Sequence, residues 1–266
     1  MIGDIHVHSS FSADSDEDME ESVRAAIRGG LPCLCFTDHI DWDYPEKELV
    51  FDFDRKKYFE RIRELKEKYA GQIKILAGVE LGMQPQLGDR YRRLLKEWPF
   101  DYCIGSQHLV GGRDPWYPDA FGSESDAEIF RKYFEETLQN VKLFHDFDSM
   151  GHLDYIVRYG RRKAHAYSYR AYADVIDEIL KLLVRYNIAL EINTAGIRKQ
   201  LGFPNPHPDV LRRYRELGGT LVTVGSDSHK AYSIGYAFDT AGQILKECGF
   251  THYVYFEKRD PKFVKL

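Results

Sequence analysis

Seven short apolar runs punctuate this chain, each followed by a stretch with helical spacing, and six of the ten histidines stand at the ends of these runs. The runs cover residues 2–8, 31–36, 73–81, 102–104 (extending toward His108), 147–152, 188–192 and 221–225. Helices are predicted over 17–28, 54–69, 91–98, 124–144, 169–186, 207–217 and 236–248, and a last short strand over 253–256. Within 54–69, Tyr58, Ile62, Leu65 and Tyr69 recur at helical intervals with charges on the other face, and Gly29-Gly30 supplies a stop for the first helix. Strands that are apolar throughout belong in a parallel sheet covered on its outer face.

Two arrangements of such units compete, and the polar residues separate them. A closed barrel gathers its chemistry after nearly every strand, whereas an open doubly wound sheet gathers it at one switch point. Here polar groups follow almost every run, and no Gly-x-Gly-x-x-Gly turn or Walker loop is present. The expected fold is therefore α/β, a TIM-like (β/α)7 barrel. No Gly/Ser-rich linker interrupts it, so a single domain over 1–266 is expected.

A net charge of -5 argues against nucleic acid as a partner, which needs a basic footprint. No apolar run approaches the ~18 residues of a membrane span. The start Met1-Ile2-Gly3-Asp4 shows neither a basic flank nor a signal-peptide core, so a cytoplasmic location is expected. Cys33, Cys35, Cys103 and Cys248 read as buried free thiols; Cys33 and Cys35, two apart on a strand, share a face and make a poor disulfide pair.

The strand-end groups are His6 and His8, Asp14 in the next loop, His39 after Asp38, Glu80, His108, His152, Asp227 and His229. His6 and His8 are two residues apart on a strand and so point to one face, able to grip one ion together. Imidazole and carboxylate donors suit Zn²⁺, Mn²⁺ or Fe²⁺, and the lack of paired thiolates excludes a zinc ribbon. The nine ligands His6, His8, Asp14, His39, Glu80, His108, His152, Asp227 and His229 exceed what one ion uses, so two or three divalent metal ions are expected. Glu80, alone after the third strand, is the natural bridge between two of them. The other histidines, His145, His165, His207 and His252, fall elsewhere.

His6-Val7-His8, Thr37-Asp38-His39, Gly105-Ser106-Gln107-His108, Gly151-His152 and Ser226-Asp227-Ser228-His229 together resemble the successive motifs of the PHP (polymerase and histidinol phosphatase) family. The resemblance implies a distorted (β/α)7 barrel, the PHP fold, with a trinuclear metal site. It implies His6, His8, Glu80 and Asp227 on one ion, Glu80, His108 and His152 on a second, and Asp14, His39 and His229 on a third. Asp14 matches a position where some relatives carry histidine. Stretches 41–45, 191–199 and 255–259 are similar to the members that act in histidine biosynthesis, which implies hydrolysis of L-histidinol phosphate to L-histidinol and phosphate. Gln107, where many relatives carry an apolar residue, is expected to alter the pocket.

Neighbouring divalent ions lower the pKa of a shared water from roughly 15.7 toward ~7, so attack on phosphorus by a metal-bridging hydroxide is the expected chemistry. Asp227 is expected to orient that nucleophile as well as bind metal, and His229 is the alternative proton donor. A small phosphomonoester substrate also needs fixed positive charge, best supplied by arginine. Arg158 and Arg198 follow strand ends and are favoured by the resemblance. Arg161, Arg162 and Lys163 read first as a solvated basic loop, with Arg161 a third candidate to assist. The loop over 111–123, with Trp116, Tyr117 and Phe121, suits either a lid or an aromatic cap on the core. Trp42 and Tyr44 suit either stacking on an imidazole or anchoring their own loop.

Three other functions compete. A PHP-type nucleotide phosphatase or exonuclease is disfavoured by the acidic balance. A degenerate binding module is disfavoured because every ligand position is filled by a competent residue. A metal-dependent amidohydrolase shares the His-x-His strand but usually adds a strand-end lysine, which is missing here.

Overall fold

A computed structural model describes residues 3–117, 119–161 and 167–266. Eight parallel strands form one sheet: β1 (Asp4–Val7), β2 (Cys33–Phe36), β3 (His39–Ile40), β4 (Lys74–Gly82), β5 (Tyr102–Ser106), β6 (Ser149–Met150), β7 (Ala189–Asn193) and β8 (Val222–Gly225). Their order is β1-β2-β4-β5-β6-β7-β8, with β3 added beside β4. Val7 bridges Ser228 in parallel, and His8 N–H donates to the Ser228 carbonyl at 2.8 Å, joining the two ends of the sheet. The result is the expected distorted (β/α)7 barrel.

The outer layer comprises α1 (Met19–Arg28), α2 (Arg55–Lys68), α3 (Gly88–Glu97), α4 (Asp126–Leu143), α5 (Ala173–Tyr186), the one-turn α6 (Ala195–Arg198), α7 (Pro208–Glu216) and α8 (Phe238–Glu247). Local chemistry sets their starts. Asp18 and Asp54 accept from orphan N–H groups of α1 and α2, and Ser125 with Glu128 forms a reciprocal capping box on α4. Tyr58, Ile62 and Leu65 are the buried face of α2, as their spacing predicts. The Tyr58 hydroxyl lies 2.9 Å from the Phe36 carbonyl and 2.8 Å from that of Gly78. Tyr91 of α3 similarly reaches the carbonyls of Ile40 and Gly82. These hydroxyls clip helix to strand end and fix β3 against β4.

Cys33 and Cys35 do share a face. With Ile5, Leu76, Tyr102, Ile104 and Ala189 they fill the barrel interior. A second cluster of apolar residues packs strands against helices. Between Asp4 and Val7 the β1–β2 ladder slips, with Asp4 opposite Leu34 and Val7 opposite Phe36. Strict alternation would put Ile5 and Val7 on one face; the slip sends Ile5 inward and Val7 to the outer cluster.

The last predicted strand is present as β9 (His252–Glu257), and it pairs antiparallel with a further strand, β10 (Asp260–Lys265). This hairpin plugs the barrel floor through Val254 and Phe256, and Phe256 stacks on Tyr102 at 5.4 Å. Its turn residues Lys258 and Arg259 both have positive φ, and Asp101 accepts their two N–H groups. Such turns favour Asn-Gly, so Lys-Arg gives no hairpin signal. No helix among the described residues is long and apolar enough to cross a membrane.

Candidate metal centre

The strand ends deliver the nine residues to one rim. His6 lies near the end of β1 and His8 follows the strand, while Asp14 lies in the loop beyond. His39 opens β3, whose register sets it directly beside Glu80 of β4. His108 follows β5, His152 follows β6, and Asp227 and His229 follow β8. Asp227 holds a left-handed backbone, φ 52°, at the turn where it meets the histidines.

Glu80 is the hub. Its Oε2 lies 3.2 Å from His6 Nε2, 3.4 Å from His8 Nε2 and 3.2 Å from His39 Nδ1. Its Oε1 lies 3.2 Å from His108 Nε2 and 3.0 Å from His152 Nε2, and accepts from the Ser106 hydroxyl. One buried carboxylate therefore meets five imidazoles. Asp227 Oδ1 stands 3.5 Å from His8 Nε2 and 3.7 Å from His229 Nδ1. Asp14 Oδ2 spans His229 Nε2 at 3.1 Å and His39 Nε2 at 3.7 Å. The His8 ring is sandwiched between His39 and His229, with centroids 4.2 and 4.1 Å away.

His6 Nε2, His8 Nε2, His39 Nδ1 and Glu80 Oε2 are all buried without a hydrogen-bond partner, and they face one another. Orphaned buried polar atoms are rare, and four aimed at one point fit a cation. Charge tells the same story. Burial would raise Glu80, but His6, His39 and His108 hold it well below the usual carboxylate range. Burial opposes a charged His6, yet Glu191 and Glu80 hold it well above the ordinary imidazole value. His39 is likewise pushed up to about 9, against burial, by Glu80 and Asp14. His8 goes the other way, to about 3, through burial and its two stacked neighbours, which leaves a neutral ring with a free lone pair. This donor set fits divalent ions of the zinc, manganese or iron kind.

The donors overlap rather than divide into three private sets. Four groups have ligand atoms within 4.8 Å of one another among the described residues: His6–His8–Glu80, His6–His152–Asp227, His39–Glu80–His108 and His8–His39–His229. Asp227 thus pairs with His152 as well as His6, and His39 faces Glu80 as well as Asp14.

Several partners went unnoticed in the sequence. Glu191 Oε1 is 2.6 Å from His6 Nδ1, and Glu191 Oε2 accepts from the backbone N–H of His152. Asp41 Oδ1 is 2.6 Å from His108 Nδ1. Each carboxylate makes Nδ1 the protonated nitrogen and turns Nε2 toward Glu80. An acid inside an apolar strand was the available signal for Glu191, and Asp41 stands two residues after His39. Asp38 is no ligand; it accepts from Ser9 N–H and from the Ser9 and Ser12 hydroxyls.

A model of the PHP domain matches residues 4–195. The chain belongs to the PHP family. It is 38% identical over 264 residues, 99% of this chain and the whole of the relative, to a probable histidinol-phosphatase of Clostridium acetobutylicum. It is 32% identical to the histidinol-phosphatase of Lactococcus lactis subsp. lactis, covering 93% of this chain and 91% of that one. The crystal structure of the histidinol phosphate phosphatase from Lactococcus lactis subsp. lactis, complexed with zinc, L-histidinol and phosphate, superposes with a TM-score of 0.89. It shares 31% identity over 97% of this chain and 98% of that chain.

Above the metal centre of this PHP protein opens a cavity of about 610 Å³ walled by Tyr44, Phe51, Trp116, Tyr117, Tyr155 and Tyr159. Arg158 and Arg198 also line it. Arg158 Nη1 donates to Asp227 Oδ2 at 3.0 Å, while Asn205 and Asn193 hold its Nε and Nη2. Arg198, ending α6, donates to the Asp227 carbonyl at 2.8 Å and to the Ser233 hydroxyl. The structure places Arg161 elsewhere: it is exposed, its guanidinium bonded to the Gly122 carbonyl and its N–H to Asp126. Arg162, Lys163 and His165 lie outside the described residues.

The loop after β5 divides its roles. Trp116 and Tyr117 line the cavity, whereas Phe121 packs on the core under Arg113. Trp42 stacks on Tyr91 and anchors its loop, while Tyr44 faces the cavity. Gln107 does not reshape the pocket; it is buried, bonded to the Leu109 carbonyl and to Asn140.

Proposed function

We propose that this protein is a metal-dependent phosphoric monoester hydrolase that converts L-histidinol phosphate to L-histidinol and phosphate, a step of histidine biosynthesis. The observation that carries the reading is the near full-length match, in sequence and fold, to a phosphatase bound to zinc, L-histidinol and phosphate. The Glu80-centred donor cluster of this chain fits the same chemistry.

His6, His8, Asp14, His39, Glu80, His108, His152, Asp227 and His229 would hold two or three divalent ions, and Glu80, which meets five of the imidazoles, would be the shared ligand. When bound, zinc, manganese or iron supplies Lewis-acid charge to the phosphoryl oxygens and lowers the pKa of the attacking water. Arg158 and Arg198 approach Asp227 through its carboxylate and its carbonyl, and so offer planar donors to a phosphoryl group held there. Asp227 Oδ1 orients the water. The ester P–O bond breaks as the new P–O bond forms, and the leaving oxygen takes a proton; His229, half-exposed at the cavity mouth, gives that proton only when its ring is not committed to a metal ion. The aromatic wall takes the imidazole. A cytoplasmic setting suits the four buried free cysteines.

The test is phosphate release from L-histidinol phosphate against a panel of mononucleotides, run on protein whose metal content has been measured. Preference for histidinol phosphate supports the reading. Faster release from nucleotides overturns it.

A further inference from the structure

Metal ligands, arginines and aromatics account for most of the cavity wall, but not for Asp114. This carboxylate lines the cavity from the loop after β5. Only neutral donors hold it: the Tyr44 hydroxyl on Oδ2 and the Trp116 backbone N–H on Oδ1, the latter at 2.8 Å. Among the described residues no cationic side chain forms an ion pair with it. A half-buried carboxylate held by two neutral donors has lone pairs to spare for a cationic group.

Its place relative to the metal centre is set by two lines of rings. One runs from His39 to Phe51 at 5.4 Å, then to Tyr44 at 4.7 Å, whose hydroxyl meets Asp114. The other runs from His152 to Tyr155 at 4.9 Å, to Tyr159 at 5.1 Å and to Trp116 at 6.3 Å, whose backbone N–H meets Asp114. The cavity lies among these rings. It therefore has a phosphoryl end, where Arg158 and Arg198 meet Asp227, and a separate anionic point at Asp114.

We propose that Asp114 binds the primary ammonium of the substrate, which makes the cavity selective for phosphomonoesters of amino alcohols; the assignment rests on the phosphatase reading above. An alkyl ammonium carries its full charge at neutral pH, whereas an imidazole of ordinary pKa is mostly neutral there. The ammonium is thus the stronger partner for a carboxylate in a partly desolvated site, and the ring is left to the aromatic wall. Tyr44 is a positioning residue that orients Asp114.

The experiment compares kcat/KM for three esters: L-histidinol phosphate, its des-amino analogue 3-(imidazol-4-yl)propyl phosphate, and L-phenylalaninol phosphate, which keeps the amine and replaces the imidazole. The native enzyme should prefer histidinol phosphate over the des-amino ester, and Asp114→Asn should narrow that preference by roughly 10- to 100-fold, mainly through KM. Phenylalaninol phosphate should lose turnover in Asp114→Asn as histidinol phosphate does. Tyr44→Phe should narrow the preference to a smaller degree and serves if Asp114→Asn does not fold. An amine preference that survives both substitutions, or a loss that follows the imidazole, overturns the assignment while leaving the phosphatase reading intact. A native enzyme that hydrolyses none of the three esters overturns both.

Discussion

Glu191 and His6 stand 185 positions apart in the chain, yet Glu191 Oε1 lies 2.6 Å from His6 Nδ1 in the barrel interior. A carboxylate only accepts, so Nδ1 carries a proton and donates to Glu191, which turns Nε2 toward Glu80. Through its other oxygen the same carboxylate accepts the backbone N–H of His152 at 2.8 Å. One acid on β7 thus sets two histidines on β1 and after β6.

Glu191→Gln keeps the shape but removes the charge that selects this tautomer. Metal affinity should fall by about 10- to 100-fold, read by zinc titration against a competing chelator. An unchanged affinity would show that packing alone orients His6.

Glu80→Ala deletes the group that meets five imidazoles. Bound metal and phosphatase activity should fall together, activity by more than about 100-fold. Elemental analysis alongside turnover checks this; full metal stoichiometry in the variant would rule out a bridging role.

The two arginines should part company on substitution. Arg198 meets a backbone carbonyl of Asp227, while Arg158 meets its carboxylate. Arg198→Ala should lower kcat/KM for phosphate monoesters by roughly 10- to 100-fold with metal content intact. Arg158→Ala strips a buried carboxylate of its counter-charge and should disturb metal content as well. Kinetics identical to the native enzyme in Arg198→Ala would remove it from the phosphate site.

Phe256→Ala empties a buried place on the barrel floor, where the ring stacks on Tyr102. The expected cost is about 3–5 kcal/mol, measured by urea unfolding, with zinc affinity per folded molecule unchanged because the metal centre lies at the opposite rim. A loss of affinity instead of stability would mean that the hairpin supports the site.

The alternation of strand and helix was legible in the sequence because it is a local signal. Apolar runs and helical spacing, as in Tyr58, Ile62 and Leu65, record which face each segment buries. Histidines at strand ends likewise marked the rim, since a barrel brings every such end to one side. The β9–β10 hairpin escaped because its turn is Lys-Arg, tolerated only because Asp101 accepts both N–H groups. For Arg161 the sequence left a solvated loop and a phosphate contact both open, because sequence proximity to Arg158 says nothing about direction; the chain turns after the Tyr155–Tyr159 helix and carries Arg161 out to solvent.

The residues alone determined that imidazoles and acids would gather at the strand exits of a parallel barrel. Only the tertiary structure decided that Glu80 would be the hub, that Glu191 and Asp41 would orient His6 and His108, and that Asp114 would face the cavity. These pairings join groups far apart in the chain, through strand register and loop path. Spacing along the sequence carries no record of them, because which atoms meet is settled when the sheet closes.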